Sequence, residues 1–247
     1  MTRTARTVCF LGAATVVAIA VVLAVLAMPH FGSSYHPYRD HAVAAATEHH
    51  TANVVASVNF DQRGLDTLGE EAILLASVLG VGMLLRVAED ETEKQPLTTG
   101  HILDSTRLGG YVLLPVTLVV GFDVVAQGHL TPGGGFQGGI VLGTGMHLLY
   151  VAGRYQALER ARPMSVFEWG EALGAGAFAC LGIAGVLAGG AFLANIIPTG
   201  SLGQLLSAGT VPVLNGAVGI EVASGVMVLL AKFLEQAIRV KVADPGQ

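Results

Sequence analysis

The residue with the clearest chemical capacity is a carboxyl set among apolar neighbours. Glu221 stands ten residues into the apolar stretch from Val211 to Leu234, about 15 Å deep at the helical rise of about 1.5 Å per residue. Inserting an ionisable side chain near a bilayer midplane costs at least about 2.5 to 3.5 kcal/mol, which makes such a residue a functional candidate by default. Either burial keeps it protonated or it faces a polar partner, and both states suit a proton or cation relay. The competing reading is a neutral carboxyl hydrogen-bonded to a neighbouring subunit. Asp123, beyond Pro115 in an earlier apolar run, and His147 in the next run could extend a polar path or make structural hydrogen bonds near helix ends. Upstream, Asp61, Asp66, Glu70 and Glu71 surround the single Arg63, and four carboxylates at a helix mouth would concentrate cations. Thr67-Leu68-Gly69-Glu70 also fits a helix capping box, which accounts for Glu70 without function.

The densest local signal is the run Gly128-His129-Leu130-Thr131-Pro132-Gly133-Gly134-Gly135-Phe136-Gln137-Gly138-Gly139. Pro132 fixes one backbone dihedral, and the following glycines permit positive φ and close backbone approach, so a tight turn is expected. Gly133-x-Gly135-x-x-Gly138 imitates a dinucleotide fingerprint, but that motif needs a preceding strand and a soluble helix after it, and here both neighbours are apolar spans. Gly135, Gly139 and Gly143, at intervals of four, favour a helix packed closely against another. Amides exposed at the head of that helix could alternatively shape a water or ion entrance. The same small-residue pattern recurs through Gly170, Gly174, Gly182, Gly185 and Gly189, and it fits a subunit built to pack against other helices.

The elements that must position these groups are membrane helices. Of 247 residues, 52% are hydrophobic and 13% charged, with mean hydropathy +0.63, whereas a soluble domain carries about 25% charged residues. Six apolar stretches are long enough to cross about 30 Å of hydrocarbon: Val8 to Met28, Leu68 to Val87, Leu108 to Gln127, Gly134 to Gly153, Glu171 to Ala194 and Val211 to Leu234. They lack the period-two alternation of a membrane barrel. The expected fold is therefore all-α and polytopic, with about six transmembrane helices in the lipid bilayer. A net charge of -5 without a basic run removes the footprint nucleic-acid binding needs. Cys9 and Cys180 lie in apolar runs, and no disulfide, metal site or cofactor is expected.

Orientation follows from the basic residues, which favour the cytoplasmic side. Arg3, Arg6, Arg86, Lys94, Arg107, Arg154, Arg160, Arg162, Lys232, Arg239 and Lys241 all fall on one set of alternate segments, leaving only Arg39 and Arg63 on the other. Both termini are expected in the cytoplasm. The first span could also be a secretory signal, but about 20 apolar residues exceed the usual 7 to 15 of such a core and favour a retained anchor. The extracytoplasmic segment from Pro29 to Thr67 holds His30, His36, His41, His49 and His50, whose spacings match no tetrahedral metal pattern; within it, 52–60 could be a short helix or extended. The acidic run Glu89-Asp90-Glu91-Thr92-Glu93-Lys94 reads as a solvated linker. It divides the chain into 1–95, with two spans, and 101–247, with four.

The Gly128-His129 and Thr131 to Gly139 motif resembles the hallmark of the B subunit of the multi-subunit Mrp (Mnh) sodium/proton antiporter, over roughly residues 101–247. The stretch Asn53-Val54-Val55 through Phe60-Asp61-Gln62-Arg63-Gly64-Leu65-Asp66-Thr67-Leu68-Gly69-Glu70 resembles the end of that antiporter's A subunit, which in ion-pumping hydrogenases is a separate small subunit. The resemblance implies a non-enzymatic subunit of a prokaryotic cell-membrane complex, partnered by large antiporter-like and small membrane subunits, that helps exchange Na⁺ for H⁺. Glu70 and Glu221 are its implied ion-path residues. Fused arrangements of this kind also occur in hydrogenase-linked complexes, so a membrane arm of a redox-driven pump and a purely structural scaffold remain the alternative roles.

Overall fold

The computed structural model describes residues 3–28, 32, 34–85, 102–152 and 163–240. Among these no strand occurs, and the elements are helices α1 (Arg3–Leu26), α2 (Pro37–Glu48), α3 (Val54–Ser57), a π-helical turn (Val58–Gln62), α4 (Gly64–Leu84), α5 (Asp104–Ala126), α6 (Gly135–Val151), α7 (Met164–Gly189) and α8 (Val211–Val240). His30, the acidic linker and the basic residues Arg86, Lys94, Arg154, Arg160, Arg162 and Lys241 lie outside the described residues.

The chain forms two units, residues 1–40 and 41–247. In the first, α1 supplies an apolar helix of membrane-spanning length, Thr4–Leu26. In the second, α4, α5, α7 and the Val211–Leu234 part of α8 are long and apolar enough to cross a membrane. The fourth expected span, Gly134 to Gly153, is present as α6, but its 17 residues give about 25 Å at the helical rise. The helix over the fifth expected span begins at Met164, seven residues before Glu171.

Helix α8 is the centre of the second unit: 61% of its most apolar window is buried, against 22% or less in the other long helices. Glycines let neighbours reach its backbone. A Cβ on Gly135, Gly139 or Gly143 would lie 2.6, 2.7 or 3.1 Å from the Cβ of Val218, Val222 or Val226 respectively, so α6 and α8 pack in parallel along the expected stripe. Facing the other way, a Cβ on Gly138 would meet Val125 of α5, and one on Gly121 would meet Leu142 of α6, an antiparallel pair. Gly170 and Gly174 bring α7 against Ser224 and Glu221 of α8, again antiparallel. Gly182, Gly185 and Gly189 have a different use, making room for Phe192, Leu193 and Ala194 of the chain that folds back after α7.

Three connections gather at one end of the second unit and form a cap. Asn53 donates from Nδ2 to the carbonyls of Gly128 (2.7 Å) and Thr131 (2.9 Å), and its own amide donates to the His129 carbonyl (3.0 Å). With its Oδ1 it also accepts from the amides of Val55 and Ala56, capping α3, so the 52–60 segment begins as helix. His50 Nδ1 lies 3.1 Å from Thr199 Oγ1, and Asn195 ties Ala208 to Thr210. These are the segments that the charge pattern places together on one side of the membrane.

Candidate functional site

Glu221 is fully buried at the middle of α8. The sequence permits this because Gly174 has no side chain: a Cβ there would sit 2.7 Å from Glu221 Cβ. Two further carboxyls are buried with it, Glu71 of α4 and Glu171 of α7, and the three residues are 0%, 1% and 4% exposed in the order Glu221, Glu71, Glu171. Both oxygens of Glu71 and Glu221, and Oε1 of Glu171, have no hydrogen-bond partner among the described residues. Their order in space follows from helix packing. The antiparallel α7 and α8 set Glu171 one turn from Gly174 and next to Gly225, where a Cβ would meet Glu171 Oε1 at 3.5 Å and Val78 of α4 at 3.2 Å. Glu71 is within electrostatic range of Glu221 and of its neighbour Glu70, Glu221 within range of Glu171, and Glu171 within range of Glu168. The line therefore draws on α4, α8 and α7, the three helices whose close approach the glycines permit. An ionised carboxyl left unpaired in an apolar interior costs several kcal/mol. Each of these groups must be neutralised by a proton or by a cation from outside the chain.

The sequence-derived candidates distribute differently. Glu70 is exposed on α4, adjacent in sequence to the buried Glu71 but on another helix face. The capping box does not form, because α4 begins at Gly64 with Arg63 as its cap; Thr67 is already inside the helix and its hydroxyl donates to the Asn59 carbonyl (2.7 Å). The four-acid patch is not a single mouth either. Asp66 is exposed and paired with Arg63, Asp61 is engaged by His49, and Glu71 turns inward. Asp123 is exposed near the end of α5 and accepts from Gln127 Nε2 (2.5 Å). His147 is half-buried on α6, its Nε2 has no hydrogen-bond partner among the described residues, and none of the hydrogen bonds among them joins it to the three glutamates. The sequence pattern groups Glu71 with a cation-attracting helix mouth and sets Glu171 at the first position of a span, so neither stands out as a buried carboxyl.

The Gly128 to Gly139 loop positions the head of α6. Gly134 has φ 146° and ψ -175°, a conformation that favours glycine, and the Gly135 amide donates to Asn215 Oδ1 of α8 (2.9 Å). A Cβ on Gly128 would lie 2.7 Å from Gly134 Cα, so the loop closes on itself between Pro132, which is exposed, and Phe136, which packs on the apolar core. His129 is fully buried in this loop, with Nε2 donating to the Leu205 carbonyl (3.1 Å) and Nδ1 unpartnered among the described residues.

Burial lowers the His129 pKa from its ordinary 6.5, outweighing the carbonyls of Leu205 and Gln204 that favour the charged ring. With a folded pKa below the unfolded one, the unfolded chain takes up the proton first as pH falls. The stabilising contribution is complete above 6.5 and declines below it. We expect hydrogen exchange at 127–134 and 204–207, corrected for intrinsic rates, to be faster at about pH 5.5 than at about pH 7.5. His129→Gln should remove that difference, and equal corrected exchange in the unsubstituted protein would refute the assignment.

Comparison with known proteins agrees with this architecture. Residues 106–228 match the family described as a domain related to the MnhB subunit of Na⁺/H⁺ antiporter. An uncharacterized protein of Methanocaldococcus jannaschii is 32% identical over 196 residues, covering 70% of this chain and 73% of that protein. Among solved structures, a chain of the membrane-bound sulfane sulfur reductase, an archaeal respiratory membrane complex, is similar with TM-score 0.72 and 27% identity, over 93% of this chain and 98% of that one. A chain of the Mrp complex from Dietzia sp. DQ12-45-1b shares the fold with TM-score 0.69 and 24% identity, over 99% of this chain but 27% of that one. The matched region spans α5 to most of α8, including the glycine loop, the glycine stripe and Glu221, and the chain belongs to the MnhB-related family of multi-pass membrane proteins.

Proposed function

We propose that this protein is a subunit of a monovalent cation/proton antiporter complex and that Glu71, Glu221 and Glu171 form part of its ion path. The observation that carries this reading is the burial of three carboxyls without hydrogen-bond partners among the described residues. A scaffold would gain more stability from apolar side chains of similar volume, because uncompensated buried charge is costly. Transport of Na⁺ and H⁺ is shared with large antiporter-like and small membrane subunits, with no catalysis by this chain alone. Glu70 and Asp123, exposed on α4 and α5, extend the path towards those neighbours, as do Asp66 near the cap and His147 on α6. The glycine loop of His129, Pro132, Gly133, Gly134, Gly135, Phe136, Gly138 and Gly139 holds α6 in register. The cap faces outside and both termini lie in the cytoplasm of a prokaryotic cell, following the distribution of basic residues.

A second reading is favoured by one finding. The match to the sulfane sulfur reductase complex runs nearly end to end in both chains, which fits a membrane arm driven by electron transfer in another subunit. Mild-detergent purification of the tagged protein, with mass spectrometry of what accompanies it, separates the two. We expect antiporter-like subunits; accompanying iron-sulfur or other redox proteins would establish the second reading, and a stable protein recovered alone would overturn both.

A further inference from the structure

At the end of the second unit opposite the cap, a cleft of about 500 Å³ opens between α4, α7 and α8. Val78, Leu79 and Gly82 form its apolar wall, and Glu168, Glu171 and Lys232 are its charged lining residues. Glu171 is thus shared: it lines the cleft, yet it is 4% exposed and its Oε1 has no partner among the described residues. Building on the ion path proposed above, we infer that this cleft is the aqueous entrance through which protons, rather than sodium ions, reach Glu171 and then Glu221 and Glu71.

Three features argue for protons. No group of three His, Cys, Asp or Glu among the described residues converges to hold a metal ion, so the carboxyls form a succession and not a cage. A proton needs only one carboxyl at a time, whereas a dehydrated sodium ion needs several oxygens together. Among the described residues, the charged groups along the route are Glu168 and Glu171 on α7, Lys232 and Glu221 on α8, and Glu71 on α4, with Glu70 on the adjoining, exposed face of α4; the ammonium of Lys232 offsets one carboxylate at the mouth and weakens cation accumulation there. In each step, hydronium in the cleft protonates the Glu171 carboxylate and leaves water. Because the oxygens of Glu221 and Glu71 have no hydrogen-bond partner among the described residues, water carries the proton between carboxyls: Glu171 releases it and returns to its ionised form, the Glu221 carboxylate takes it up, and a second relay returns Glu221 to its ionised form and leaves the proton on Glu71 as the neutral acid.

Gly82 supplies a test, because nothing lies within 4 Å of a Cβ built there and a large side chain can enter the cleft without moving a helix. The complex in native membrane vesicles is treated with a water-soluble carbodiimide, and modification of Glu171 is followed by peptide mass spectrometry. We expect Glu171 to be modified, Gly82→Trp to slow modification and proton uptake by about tenfold or more, and Gly80→Trp, at a site outside the cleft lining where a Cβ also meets nothing within 4 Å, to leave both unchanged. Replacing choline chloride by sodium chloride at equal ionic strength should not slow the modification. Unchanged labelling in Gly82→Trp, or labelling by a lipid-soluble carbodiimide alone, would overturn the entrance; protection by sodium would overturn the proton assignment. If Glu221→Gln stops transport while Gly82→Trp does not, the entrance fails and the ion path stands. If neither affects transport, the ion path itself fails.

Discussion

Glu221→Gln should reduce ion-coupled transport by about a hundredfold, the scale of losing a positioned proton-transfer group, while the complex still assembles. Glutamine keeps nearly the same volume and adds no charge, so the packing of Glu221 Cβ against Gly174 is retained. What is lost is the ability to take up and release a proton at the centre of α8. Glu221→Asp keeps the carboxyl but withdraws it by one methylene, and we expect intermediate transport. The measurement is proton uptake and sodium efflux in vesicles, normalised to assembled complex on a native gel. Wild-type transport in assembled Glu221→Gln would remove Glu221 from the path.

Gly139→Val should act on a different level, by separating α6 from α8. A Cβ at Gly139 would lie 2.7 Å from Val222 Cβ and 2.9 Å from the Gly219 carbonyl oxygen, both closer than van der Waals contact allows. Neither neighbour is the free end of a flexible chain, so the helices must move apart. Overpacking of this kind costs about 3 kcal/mol, and further contacts at Gly135 and Gly143 are weakened with it. We expect a marked fall in thermal stability and in the amount of complex recovered. Gly80→Ala is the control, since nothing lies within 4 Å of a Cβ at Gly80. Equal stability of the two variants would contradict the glycine-stripe packing.

Much of the architecture was legible from the sequence, and the reasons are physical. Length and apolarity locate the helices because lipid leaves few alternatives for the backbone. The four-residue spacing of Gly135, Gly139 and Gly143 foretells a close helix contact, and α8 meets it with Val218, Val222 and Val226. Depth in the span likewise singles out Glu221. Glu171 was not legible as a site residue because the fifth apolar stretch starts at that charge, and Glu71, although inside the stretch from Leu68, was grouped with the acids of a helix mouth. Tertiary packing instead extends α4 back to Gly64 and α7 back to Met164, drawing those carboxyls inside. The Thr67-Leu68-Gly69-Glu70 signature misled for the same reason: a capping box needs a helix start, and α4 has already begun. Which of two adjacent acids turns inward depends on the helix phase relative to α8, and no local pattern in the sequence records it.

The most direct test of the buried carboxyl line is transport by vesicles carrying Glu71→Gln, Glu171→Gln and Glu221→Gln, singly and in pairs, at matched levels of assembled complex. Residues acting in series lose function as a unit. The expected result is that each single variant lowers transport severely and that the pairs lower it little further. Near-normal transport in any two of the assembled single variants would contradict a path through these carboxyls.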